Sequence, residues 1–139
     1  MFRIKLIQVG KTKKGPLQEL SAKYLKRLSA YAKIETIIVK ELTAETFNKD
    51  GFTIVLSEDG QTMDSHTFAN ALESWSENRQ RELTFVIAGP FGFDRALAKN
   101  VDLTLSLSPM TMPHELALVV LLEQLYRAGT ILSGKTYHY

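Results

Sequence analysis

Cysteine is absent from the 139 residues, which excludes disulfides, thiolate metal sites, iron–sulfur clusters and cysteine nucleophiles together. No stretch approaches the roughly 20 apolar residues that a membrane span needs. The most apolar run, Leu116–Leu122, stops at Glu123. Met1–Gly10 carries Arg3 and Lys5 within an alternating pattern and lacks the apolar block of a secretory signal, so a cytoplasmic protein is expected. His66, His114 and His138 stand far apart without the H-x-x-x-H type of spacing, so no metal site is expected. Neither G-x-x-x-x-G-K-[ST] nor G-x-G-x-x-G occurs. Repeats, linkers and low-complexity segments are missing too, leaving one domain over 1–139.

What is present is an ordinary globular composition, 45% hydrophobic and 23% charged. The net charge of +2 conceals an asymmetry: residues 1–40 hold ten Lys or Arg against Glu19 and Glu35. Such a basic third suits a polyanion, although a solvated helix face accounts for the same lysines.

Periodicity divides the chain into alternating strands and helices. Residues 2–9, "FRIKLIQV", alternate as a half-buried strand does. Leu17, Leu20, Tyr24, Leu28 and Tyr31 recur at helical spacing. "IETIIVK" and "FTIVLS" are β-branched and predict strands, with "EDG" turning the chain after the second. Asp64 or Ser65 is placed to cap a helix whose Phe68, Leu72 and Trp75 share a face. "LTFVIA" at 83–88 predicts a central strand covered on both sides, and Asp94 a cap for "RALAKN". Val101, Leu103, Leu105 and Leu107 alternate as one face of a further strand. The last helix is expected from Pro113 to Gly129. Its leucines and valines wrap most of its circumference, more than so short a chain is expected to bury alone, which points to a homodimer. The pattern is that of an α/β fold, a mainly parallel sheet with helices on both faces.

In such sheets, ligands bind beyond the carboxyl ends of the strands. Three strand ends carry loop-like sequence: "LSEDG", "AGPFGFD" and "LSPMTMP". Gly89 and Gly92 permit close backbone approach, and Pro90 stiffens a turn, though turn glycines need no ligand to explain them. His114 reads as a helix-start residue before it reads as a catalyst. The closing Tyr137, His138 and Tyr139 are suited to stacking on a base or covering a ligand.

"FVIAGPFGF", "LSLSPMTMPHELALVVLLEQLYRA" and the late "YH" resemble the SPOUT-class ribosomal RNA methyltransferases. More narrowly, they resemble the large-subunit methyltransferase H family. That resemblance implies a trefoil knot in the C-terminal half, a homodimer and S-adenosylmethionine as cofactor. It also implies methyl transfer to N3 of a pseudouridine in ribosomal RNA, within an assembled ribosome or large subunit. Carried onto this chain, the cofactor pocket falls on Leu56, Ala88, Gly89 and the run Leu107, Ser108, Pro109, Met110, Thr111, Met112, with Gly92 beside it. His138 is the candidate base, with Tyr137 supporting it; Lys11, Lys13, Lys14 and Arg127 are the candidate RNA contacts. The chain departs from the family pattern at Ala88 for a glycine, Leu118 for an arginine, and Tyr139 for a basic residue. The segment between the second and third strands is also short. These departures leave two alternatives: a knotted dimer that binds cofactor or RNA without methylating, and a flavodoxin-like nucleotide binder.

Overall fold

The computed structural model describes residues 1–89 and 93–137. Five parallel strands form one sheet in the order β2-β1-β4-β3-β5, comprising β1 (Phe2–Val9), β2 (Ala32–Val39), β3 (Phe52–Gln61), β4 (Leu83–Ile87) and β5 (Leu103–Leu105). The helices are α1 (Pro16–Leu28), α2 (Ser65–Trp75) and α3 (His114–Leu132). All of β4 is buried, as its unbroken apolar run requires of the middle strand. β1 lies beside it and is buried from Leu6 to Gln8, deeper than alternation alone suggests.

The period of two sorts the strands' side chains into two cores. Leu6, Ile54, Phe85 and Leu105 point to one face, where they meet Leu28, Phe68, Leu72, Leu121 and Leu125 of the three α-helices. Ile7, Val55 and Val86 point to the other, where Phe47, Leu42, Phe93 and Leu97 cover them. Those covering residues lie in and around two 3-10 segments, Ala44–Thr46 and Arg95–Asn100. Both faces therefore carry helical cover, but all the α-helices share one face. Val101 packs with the second core while Leu103 and Leu107 pack with the first, so the four-residue face expected there is broken at its first member.

α3 packs between α1 and α2 on the sheet. Leu118, Val119, Leu121, Leu122 and Leu125 are buried within the single chain, whereas Leu116 is 37% exposed and Val120 half-buried, so only part of the apolar circumference is left for a second copy to cover. The helix also runs past Gly129, contrary to expectation. Gly129 is buried where a Cβ would come within 2.6 Å of the Tyr31 ring, so it serves close packing. The helix ends at Leu132, and Gly134 just beyond its Ser133 cap is the terminating glycine, with a φ of 70°; the Lys135 N–H donates to the Thr130 carbonyl at 2.9 Å. α1 stops at Leu28, leaving Tyr31 beyond the helix, and Leu20 is 39% exposed. Asp64 is the α2 cap, accepting from the Thr67 N–H at 2.7 Å. Asp94 does the same for Ala96 at 2.9 Å.

"EDG" does not turn the chain. β3 continues through it to Gln61, but its register breaks there: Leu56 and Gln61 both oppose Leu105, so residues 57–60 bulge out of the ladder with β5. A Cβ on Gly60 would meet the Thr104 carbonyl at 2.7 Å, so only glycine lets the bulge lie against β5.

Candidate cofactor cleft

The bulge matters because it delivers Ser57 and Glu58 to the carboxyl edge of the sheet. There the ends of β3, β4 and β5 and the first turn of α3 enclose a cleft of about 510 Å³ including its open mouth. Leu56, Ile87, Leu107, Met112 and Ala117 supply apolar walls; Ser57, Ser108, Glu58 and His114 supply polar groups. Of the expected cofactor residues, Leu56, Ala88, Leu107, Ser108, Met110 and Met112 meet in this cleft.

Gly89, Pro109 and Thr111 do not line it. Gly89 packs against Val9, 3.2 Å from where its Cβ would stand. The Thr111 hydroxyl donates instead to the Glu58 carboxylate at 2.5 Å, tying the loop after β5 to the β3 bulge. Within that loop the Met110 N–H donates to the Ser108 hydroxyl at 3.0 Å, and Met110 itself is 79% exposed. Pro90 and Gly92 lie outside the described residues. Ser57 and Glu58 belong to the "LSEDG" strand end that the sequence offers as a site segment, whereas Ile87 and Ala117 are lining residues it did not single out. His114 does line the cleft, with Glu115 3.9 Å from its Nε2.

The α3 N-terminus faces the same space. Its cap position is Pro113, with no side-chain cap hydrogen bond, so first-turn N–H groups and the positive end of the helix dipole remain available there.

Tyr137 lies elsewhere. Its hydroxyl donates to Glu123 at 3.3 Å, its ring meets the Tyr126 ring edge-on at 4.9 Å, and the Arg127 guanidinium sits 5.0 Å from its centre. Glu123 is nine residues along α3 from His114, about 14 Å down the axis. Burial pushes the Tyr137 phenol up to about 12, helped by a hydrogen bond with Tyr24 and by the Glu123 carboxylate. It is therefore a neutral donor at ordinary pH, and its own protomer's cleft is out of reach. His138 and Tyr139 lie outside the described residues.

Of the expected RNA contacts, Lys11, Lys13 and Lys14 are exposed on the loop after β1, at the carboxyl end of the sheet with the cleft. Arg127 is engaged internally: its Nε and a terminal nitrogen donate to Glu123 at 2.9 and 2.5 Å. Hydrogen bonding to Glu123 raises its pKa further. Leu118, at the position where the resemblance expects arginine, is buried.

Residues 2–138 match a family model described as predicted SPOUT methyltransferase. The chain is 40% identical over 140 residues to a Coprothermobacter proteolyticus protein named ribosomal RNA large subunit methyltransferase H, covering 99% of each. A Rhizobium johnstonii protein of the same name is 39% identical over 161 residues, again with 99% of each covered. Among solved structures, a probable methylase family protein from Haemophilus influenzae aligns with a TM-score of 0.66 at 8% identity, over 98% of this chain and 70% of that one. A putative methyltransferase from Legionella pneumophila, solved with bound SAM, aligns at 0.51 and 14% identity, over 91% and 66%. At such identities these two likenesses concern the fold alone.

Proposed function

The chain belongs to the SPOUT methyltransferase family, with that fold's trefoil knot in its C-terminal half, and from this premise we propose that it methylates N3 of a pseudouridine in large-subunit ribosomal RNA. The observation that carries the reading is the convergence of Leu56, Ala88, Leu107, Ser108, Met110 and Met112 in one cleft beyond the strand ends. S-adenosylmethionine, when bound, supplies an activated methyl group. The residues present fit it. Leu56, Ile87, Leu107 and Met112 offer apolar surface for a purine, Ser57 and Ser108 offer hydroxyls, and the uncapped first turn of α3 offers N–H donors for a carboxylate.

The chain's remaining task is to orient the target base and to remove a proton from its ring nitrogen. We assign that proton to His138, with Tyr137 anchoring the segment that carries it. Because Tyr137 is held on α1 and α3 away from its own cleft, the tail of one protomer serves the cleft of a second copy in a homodimer. Lys11, Lys13 and Lys14 flank the cleft and hold RNA phosphates. So small a basic surface suits an assembled ribosome or large subunit, in the cytoplasm, better than free RNA. The engagement of Arg127 by Glu123 and the burial of Leu118 favour one second reading, a cofactor-binding dimer without transferase activity.

The test is methylation of subunits and of deproteinised RNA, read by mass spectrometry of the nucleosides. Methyl-pseudouridine formed on subunits by the wild type and lost in His138→Ala supports the proposal. Cofactor binding with no methylation of either substrate favours the second reading, and wild-type rates in His138→Ala remove His138 from its role.

A further inference from the structure

Glu58 contributes the one carboxylate among the described residues lining the cleft, and no Lys or Arg balances it there. Its position is built. The β3 bulge carries it to the rim, Gly60 makes the bulge possible, and the Thr111 hydroxyl holds its Oε2 at 2.5 Å from the facing loop. Neighbouring Asp59 is different: its backbone N–H donates to the Ser57 hydroxyl at 3.3 Å, and its side chain lies outside the cleft. Glu58 is exposed at the rim, so its charge acts on whatever occupies the space through largely water-like screening.

Methyl transfer changes that charge. The donor carries a sulfonium cation, and removal of the methyl leaves a neutral thioether, with the rest of the molecule unchanged. We infer that Glu58 is a specificity-determining residue that favours the cationic donor over its neutral demethylated product, so that the spent cofactor is released. This rests on the assignment of the cleft to S-adenosylmethionine. Thr111 is a positioning residue in this scheme, because it fixes the carboxylate on the rim without altering its charge.

A charge pair roughly 6–8 Å apart, screened at the exposed rim by an effective dielectric of about 40–70, corresponds to a donor preference of about three- to tenfold. The experiment is calorimetric titration of the full chain with S-adenosylmethionine and with S-adenosylhomocysteine, for wild type, Glu58→Gln, Asp59→Asn and Thr111→Val. Glu58→Gln keeps an acceptor for the Thr111 hydroxyl and should shift the ratio of the two dissociation constants by about three- to tenfold, against the donor. Asp59→Asn should leave the ratio unchanged, and Thr111→Val should weaken both ligands while preserving most of it. The Glu58-dependent preference should also shrink as salt rises from about 0.05 to 0.5 M. If both ligands bind and Glu58→Gln leaves their ratio unaltered, the inference is wrong and the cleft assignment stands. If neither ligand binds the wild type, the cleft assignment itself fails and the inference with it.

Discussion

Gly129→Ala separates two readings of the last helix by the sign of a single free energy. In an open helical site, alanine for glycine stabilises by about 1 kcal/mol. Here the new Cβ would stand 2.6 Å from both Cγ and Cδ2 of Tyr31 and 3.1 Å from its Cβ. Ordinary carbon contacts are about 3.5–4.0 Å, so the overlap is about 1 Å on the rigid root of the side chain. Tyr31 has little room to retreat. Its N–H donates to the Leu28 carbonyl at 2.8 Å, its own carbonyl accepts from Phe2 at 3.0 Å, and its ring lies 5.8 Å from that of Tyr126. Overpacking of this kind costs about 1–3 kcal/mol, which offsets the helical gain and leaves a net loss of up to about 2 kcal/mol. Urea unfolding followed through Trp75 at fixed protomer concentration measures it. The decisive control is the cycle with Tyr31→Ala. With the ring gone and only the 3.1 Å Cβ contact left, Gly129→Ala should lose most of its penalty, giving a coupling of about 1 kcal/mol or more. A stabilising single variant, or a cycle that adds to within about 0.5 kcal/mol, would refute the packing argument.

Tyr137 should titrate near 12 in the absorbance at 295 nm, and Tyr137→Phe should remove that step. Because folding raises this pKa, its contribution to stability is complete below about pH 10 and is lost as pH climbs through 12; a Tyr137 step near 10 would contradict the packing of its hydroxyl. Ala88→Leu should weaken S-adenosylmethionine at least tenfold, about 1.4 kcal/mol, whereas Gly89→Ala, pressed only on Val9, should change affinity less than about twofold. Equal losses in calorimetry would mean that Gly89 faces the cofactor after all. Replacing Lys11, Lys13 and Lys14 by alanine should reduce the salt slope of RNA binding by about 2, taking about 0.7 per phosphate contact; an unchanged slope places the RNA elsewhere.

Local pattern alone determined much of this protein. Alternating and continuous apolar runs marked all the strands, though not the lengths of β3, which runs on to Gln61, or of β5, which is only Leu103–Leu105, because a side chain's face depends only on its neighbours along the chain. Asp64 and Asp94 were readable as caps for the same reason, since a cap bonds within three residues. The loops after β3, β4 and β5 were recognisable as site segments from their strand ends. Three features needed the third dimension. Gly60 and the "EDG" segment look like a turn until β5 lies beside them, and only that contact makes them a bulge delivering Glu58 to the cleft. Gly129 looks like a helix end until Tyr31 packs on it, while Gly134, five residues on, is the terminating glycine. Arg127 looks like a free cation until the helix places Glu123 one turn before it and Tyr137 folds over both. In each case the residue's role is set by a partner remote in sequence or brought round by the helix, and contacts of that kind are decided by packing rather than by composition or spacing.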